Sequence, residues 1–124
     1  MTAKVKPLII KVDALKKEVR FDLGGSFTEE EAVEFMRVYQ DSVNRINPSE
    51  YTLVLDCEHL RVVAVHMLPS LEACFELYKK TGFKHIIFNL PEIVTLKMQI
   101  NRLNRKYNLE NCDIRTTYPK PAYL

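Results

Sequence analysis

The sequence is poor in the residues that mark tight turns, metal sites and membrane spans. Its 124 residues include three glycines, three cysteines and no tryptophan. The cysteines, Cys57, Cys74 and Cys112, form no CxxC pair, so the usual spacing of a zinc or redox motif is missing. Uninterrupted apolar runs span only a few residues, far fewer than the ~20 of a membrane helix. We therefore expect a cytoplasmic protein with reduced cysteines, no metal and no membrane insertion.

An excess of charge of one sign is also missing. The sequence has 18 Lys and Arg residues and 16 Asp and Glu residues, and the net charge of +2 is too small to indicate a nucleic-acid partner. At 47% hydrophobic and 27% charged residues, the composition is typical of one globular domain. We predict a single domain over residues 1–115, followed by an extended tail over residues 116–124.

Hydrophobic periodicity predicts strands that alternate with helices. Strands are predicted over residues 8–12, 19–23, 51–55, 86–88 and 112–115. Helices are predicted to begin at the capping box of Thr28, near Pro69 and at Pro91, and Gly82 is predicted to end the second helix. The order ββαβαβα(β) predicts an α/β fold, with helices packed on a mixed, mainly parallel sheet of four to five strands.

Signature motifs of catalysis and phosphate binding are missing from the sequence. There is no GxSxG, no GxxxxGK[ST], no GxGxxG after a strand and no HExxH. The three histidines, His59, His66 and His85, lie in different segments without metal-ligand spacing. We predict a protein that is not an enzyme and holds no cofactor. An enzyme that uses Asp56, His59 or His66 as its acid–base group is the least favoured alternative.

Asp56 is predicted to lie where open α/β sheets bind ligands. It closes the apolar run of residues 51–55 and so marks the carboxyl edge of a predicted buried strand. Gly24 and Gly25 follow the preceding predicted strand, the usual place of a phosphate-binding turn. The favoured interpretation is that Asp56 caps the next loop and that the glycines form a plain turn. A small-ligand site for a nucleotide or lipid at Asp56, Gly24 and Gly25 is the alternative.

The predicted third helix carries basic residues away from its apolar face. A solvated surface is the usual meaning of such a run, and a surface for an acidic partner or a phosphate backbone is the alternative. Exposed aromatic residues typical of nucleic-acid binding are not evident, so we predict no nucleic-acid partner. The basic residues are Lys97, Arg102, Arg105 and Lys106.

Three stretches of the chain follow a pattern of strands and turns that is known from one family. They are Phe21-Asp22-Leu23-Gly24-Gly25-Ser26-Phe27-Thr28, Tyr51-Thr52-Leu53-Val54-Leu55-Asp56-Cys57, and the segment from Leu68 through Tyr78, Gly82 and Lys84 to Ile86-Ile87-Phe88-Asn89-Leu90. Over residues 5–115 the chain resembles the STAS domain, the fold of bacterial anti-sigma factor antagonists and of the cytoplasmic tails of sulfate transporters. The resemblance implies a regulatory protein-binding domain.

The resemblance also implies a difference in regulation. In the family, an Asp-Ser-Ser-Gly-like loop after the central strand carries a serine that an anti-sigma factor kinase phosphorylates. Here Ala64-Val65-His66-Met67 occupies that place, so the serine switch is predicted to be lost. Ser70 lies a few residues further on, at a predicted helix start where a phosphate would be favourable. An ordinary first-turn serine is the favoured interpretation of Ser70.

The loop after the central strand is unusually apolar, and we predict that it forms the partner-binding surface. In the fold that the chain resembles, this loop and the following helix face the partner. An exposed apolar patch there would mark a binding surface for a protein partner or for a second copy of the chain. The predicted contact residues are Val62, Val65, His66, Met67, Leu68 and Leu71.

Overall fold

The fold is an α/β fold with one five-stranded sheet and three helices, as predicted. A computed structural model describes residues 8–25, 28–60 and 64–117. The elements are β1 (Leu8–Asp13), β2 (Glu18–Gly25), α1 (Glu29–Val43), β3 (Thr52–Leu60), α2 (Leu68–Thr81), β4 (His85–Pro91), α3 (Val94–Lys106) and β5 (Cys112–Thr117), with single 3-10 turns at Pro48–Glu50 and Val65–Met67.

The strands lie in the sheet in the order in which they occur in the chain. β1 is antiparallel to β2, and the remaining neighbours are parallel. The three parallel connections all step in the same direction, so right-handed crossovers place α1, α2 and α3 on the same face. The buried side chains of the three helices accordingly share a single hydrophobic core with alternate residues of the strands.

Local sequence signals set the helix ends. The Thr28 hydroxyl accepts from the backbone N–H of Glu31 at 3.2 Å, and the Glu31 carboxylate accepts from the backbone N–H of Thr28 at 3.0 Å. This capping box satisfies two N–H groups that would otherwise lack partners at the start of α1. At the end of α2, Gly82 adopts the left-handed conformation with φ 74°, which L-amino acids with a side chain disfavour.

Aromatic rings form the centre of the core. Phe75 of α2 stacks on Phe88 of β4 with ring centroids 5.3 Å apart and planes 5° apart. Tyr78 contacts both rings, and Phe35 of α1 meets Tyr78 edge-on at 6.4 Å. All four side chains are buried. Neighbouring helices are therefore held to the sheet, and to each other, by the same aromatic cluster.

The opposite face of the sheet carries no helix within the described residues. Residues 51–55 were predicted to form a buried strand, and helices cover only one face of it. Val54 on the other face is nevertheless buried, with 2% exposed surface, between its register partners Arg20 and Ile87. The remaining residues of this face are mostly polar: Glu18, Arg20 and Asp22 of β2, Thr52 and Asp56 of β3, His85 and Asn89 of β4, and Asp113 and Arg115 of β5.

All five strands are longer than predicted, and β3 and β4 extend furthest beyond their predicted ends. β3 does not close at Asp56 but continues to Leu60, because β2 supplies pairing partners up to Gly25. β4 continues to Pro91, because β5 supplies partners up to Thr117. The prediction that Pro91 opens the third helix is therefore wrong, and α3 begins at Val94.

The last strand, β5, continues two residues past the predicted end of the domain at residue 115. Thr116 and Thr117, the first residues of the predicted tail, belong to β5. Residues 118–124 of the predicted tail lie outside the described residues. Across the described ranges, none of the helices combines the length and apolar character needed to cross a membrane.

Candidate functional site

A polar network crosses the three central strands on the helix-free face. The Asp56 carboxylate accepts from the Asn89 amide through Oδ1 at 2.7 Å and from the Arg20 guanidinium through Oδ2. Nε of Arg20 also lies 3.4 Å from a carboxylate oxygen of Glu18. The side chains of Asp56 and Arg20 are 24% and 40% exposed, so solvent screens part of their attraction.

This network gives Asp56 a different position from the one predicted. The residue lies inside β3, so its carboxylate connects neighbouring strands and does not cap a following loop. The hydrogen bond to Asp56 raises the pKa of Arg20, and the guanidinium stays charged at all physiological pH values. Both carboxylate oxygens of Asp56 are engaged, so a ligand of this group would have to displace Arg20 or Asn89.

Replacement of Asp56 by alanine is expected to lower the free energy of unfolding by about 1–2 kcal/mol, because Arg20 and Asn89 both lose a charged acceptor in a partly screened site. Asp22→Ala is the matched control, since Asp22 is an exposed acid in the same row of the sheet and makes no ion pair within the described residues. Chemical unfolding of both variants measures the difference. Equal stability of the two variants would contradict a structural role for Asp56.

The two glycines of the predicted ligand site belong to the sheet. Gly24 pairs with His59 and Gly25 with Leu60, across a register shift after Asp22. The glycines thus extend β2 and are not the plain turn that was predicted. They lie on the strand next to Asp56, but their partners follow Asp56 by three and four residues.

The histidines do not meet at one site. Nε2 of His59 is 3.6 Å from the Glu58 carboxylate, and Nε2 of His85 is 3.1 Å from that of Asp113. His66 is exposed at the turn before α2. Within residues 8–25, 28–60 and 64–117, no three His, Cys, Asp or Glu side chains come together in a way that could hold a metal ion.

The cysteines lie in the hydrophobic core or at its border. Cys57 and Cys74 are buried, and Cys112 is half-buried. Burial raises the pKa of each of the three thiols to about 12. Because the thiolate is the reactive form, these cysteines are inert at neutral pH in the folded protein.

Exposed valines lie at the edge of the sheet where the helices begin. In a parallel sheet, each helix starts at the carboxyl end of the preceding strand, so the starts of α1, α2 and α3 share one edge. Val33 in the second turn of α1, Val65 just before α2 and Val94 at the start of α3 are 69%, 81% and 72% exposed. We call the surface with these three valines the helix-start edge. Leu15, 97% exposed, lies in the β1–β2 hairpin at the opposite edge.

The structure separates the predicted partner-binding residues into two groups. Val65 and His66 are exposed and Leu68 is half-buried, whereas Met67 and Leu71 are buried in the core. A rigid partner can therefore contact only the first group directly. Val62 lies outside the described residues. Ser70, the third residue of α2, is half-buried.

Sequence reasoning identified Val65 but missed Val33 and Val94. Val33 and Val94 lie near the start of a helix and off its apolar stripe, and Val65 lies in the turn just before α2. These residues can be recognised as one surface only when the helix starts are known to lie at the same edge of the sheet. The order of the strands in the sheet gives that information. The network of Arg20, Asp56 and Asn89 was missed for a similar reason.

The resemblance to STAS domains rests on the pattern of strands, helices and turns described above, and it stays a prediction. No protein-family model, no characterised protein and no solved structure matches the chain significantly.

Proposed function

We propose that the chain is a non-enzymatic interaction domain that binds a protein through the helix-start edge, with the loop and helix after β3 at its centre. The exposure of Val65 carries this proposal. Val65 is 81% exposed, lies three residues before the half-buried Leu68 and shares its turn with the exposed His66, and a partner that covered this turn would remove its apolar surface from water. Val33 and Val94 add exposed apolar side chains near the starts of the two neighbouring helices.

The expected strength of such an association is moderate. Burial of an exposed valine side chain stabilises a complex by roughly 1.5–3 kcal/mol, so three valines offset much of the ~4–15 kcal/mol that association costs. The polar residues around the valines must supply the rest. A weak or transient complex is therefore the expected result when the valines act alone.

The resemblance to STAS domains supports the same surface. In that family the loop and helix after the central strand face the partner, and a phosphorylated serine in the loop controls the contact. Val65 and His66 stand in the corresponding loop here, and no hydroxyl stands at the acceptor position. We therefore propose binding that does not depend on phosphorylation of this loop, with either a protein partner or a second copy of the chain.

Val65→Asp is expected to weaken association by at least about tenfold, because a charge would be buried against an apolar surface. Leu15→Asp is the matched control, since Leu15 is also highly exposed but lies at the opposite edge. Light scattering over a range of concentrations measures self-association, and affinity capture measures a heterologous partner. Association that survives Val65→Asp in a folded chain would show that the binding surface lies elsewhere.

The small-ligand function is less well supported. Asp56 is 24% exposed and has Asp22 as its register partner on β2, which gives the helix-free face a partly accessible acidic site. The carboxylate of Asp56 is already occupied by Arg20 and Asn89. A thermal-shift screen with nucleotides and lipids tests this function, because a ligand that binds only the folded state raises the unfolding temperature.

A further inference from the structure

The helix α3 has a second stripe on the side that faces away from the core. Leu96, Ile100 and Leu103 face the core and are buried. At 100° per residue, the opposite side carries residues that follow one another by four, three and four positions, the spacing of a helix–helix seam. These residues are Val94, Met98, Asn101 and Arg105, and Arg102 flanks them.

The outward stripe is apolar in its N-terminal half, and a shallow groove lies along the remainder. Val94 is 72% exposed and Met98 is 58% exposed, although both are large apolar side chains. An open groove of about 340 Å³ lies along the stripe and is lined by Met98, Asn101, Arg102 and Arg105. A methionine in such a groove adapts its flexible side chain to the shape of a partner.

The charge of the stripe has one sign. α3 contains four basic residues and no acidic residue. Lys106 is neutralised by Glu72 of α2 at 2.7 Å. Arg102 and Arg105 line the groove and make no ion pair within the part of the chain that the structure describes. Their guanidinium groups are therefore available to carboxylates from outside.

We propose that the outward stripe of α3 binds an amphipathic helix of another protein. That helix would place apolar side chains against Val94 and Met98 and aspartate or glutamate residues against Arg102 and Arg105. The spacing of the stripe fits a helix packed alongside α3. The charged pairs would then lie along the C-terminal half of α3. The stripe shares Val94 with the helix-start edge, whereas Met98, Arg102 and Arg105 lie outside that edge, so binding at the stripe does not require binding at Val33 or Val65.

Other occupants fit the stripe less well. A second copy of α3 would bring together two helices that have four basic residues each and no acidic residue. The apolar half of the stripe gains nothing from the phosphates of a nucleic acid. An anionic membrane would favour basic residues on both sides of a wide apolar face, whereas here the apolar and basic halves follow one another along the helix.

Selection from a displayed library of helical peptides of about 20 residues, with variable positions along one face, tests the proposal on the full chain. We expect the selected peptides to be enriched in Asp and Glu beside an apolar seam. The tightest peptide should bind Arg102→Glu/Arg105→Glu about tenfold more weakly than the unmodified chain, because attraction is replaced by repulsion. Met98→Asp should weaken it by a similar factor.

The matched control is Lys80→Glu/Lys84→Glu, which makes the same change in charge at two exposed lysines outside α3. This control and Val65→Asp should bind the peptide within about twofold of the unmodified chain. The proposal is overturned if no acidic peptide is selected, if the arginine variant binds equally well, or if Val65→Asp abolishes binding. It is also overturned if Met98→Asp dissolves a homodimer, or if DNA or anionic vesicles bind these arginines more tightly than the peptide does.

Discussion

Replacement of Phe75 by alanine is expected to lower the free energy of unfolding by about 3–5 kcal/mol. Phe75 is fully buried and stacks on Phe88, so its removal leaves a cavity between α2 and the sheet. Tyr78 would lose a ring contact at 5.5 Å in the same place. A loss of this size is a large part of the ~5–15 kcal/mol that stabilises a typical domain. Equilibrium unfolding in guanidinium chloride measures it.

The control for this prediction is Val33→Ala. Val33 is 69% exposed, so its truncation is expected to change the free energy of unfolding by less than about 0.5 kcal/mol. A loss below about 1.5 kcal/mol for Phe75→Ala would be too small for a fully buried ring. Such a result would contradict the packing of α2 on β4 through the stacked pair.

Alkaline pH is expected to destabilise the protein, and its buried thiols contribute to that loss together with the buried hydroxyls of Tyr39 and Tyr78, whose pKa burial also raises. The pKa of Cys57 and Cys74 is raised to about 12 in the folded state, whereas a thiol in the unfolded chain ionises at about pH 8.5. As the pH rises, the unfolded state therefore releases protons first, and ionisation favours unfolding. Stability is complete below about pH 8 and falls above about pH 9, by roughly 1.4 kcal/mol per pH unit for each buried thiol.

Cys74→Ala isolates this effect from other alkaline changes. The variant is expected to lose some stability at every pH, because a buried group is removed. Between about pH 9.5 and pH 11.5, however, its stability should fall less steeply, by roughly 1.4 kcal/mol per pH unit. Guanidinium unfolding at a series of pH values gives both slopes. Equal slopes would show that Cys74 ionises as easily in the folded protein as in the unfolded chain.

Elements with a local signal could be predicted from the sequence, and strand ends could not. The capping box of Thr28 and the left-handed Gly82 depend on residues close in sequence, and both were predicted correctly. The ends of β3 at Leu60 and of β4 at Pro91 depend on partners in neighbouring strands. A strand continues as long as a neighbouring strand pairs with it. Hydrophobic periodicity within one segment does not show how far the neighbouring strand extends.

In the candidate sites, too, features set by residues close in sequence could be predicted, whereas features that depend on neighbouring strands could not. The loop at Val65 was predicted from its apolar residues and its place after the central strand. Composition alone could not tell that Val65 is exposed whereas Met67, two residues later, is buried. The contacts of Asp56 with Arg20 and Asn89 join residues 36 and 33 positions apart. Such contacts follow from the register of parallel strands, which becomes known only with the sheet.

Site-specific photocrosslinking at position 65 tests most directly whether the helix-start edge is the binding surface. Benzoylphenylalanine replaces Val65 in one chain and Leu15 in a control chain, because both side chains are highly exposed but lie at opposite edges. We expect one discrete covalent adduct from position 65, either with a second copy or with one partner, and its loss when His66→Asp is added. An adduct from position 15 alone, or equal adducts from both positions, would contradict binding through the helix-start edge.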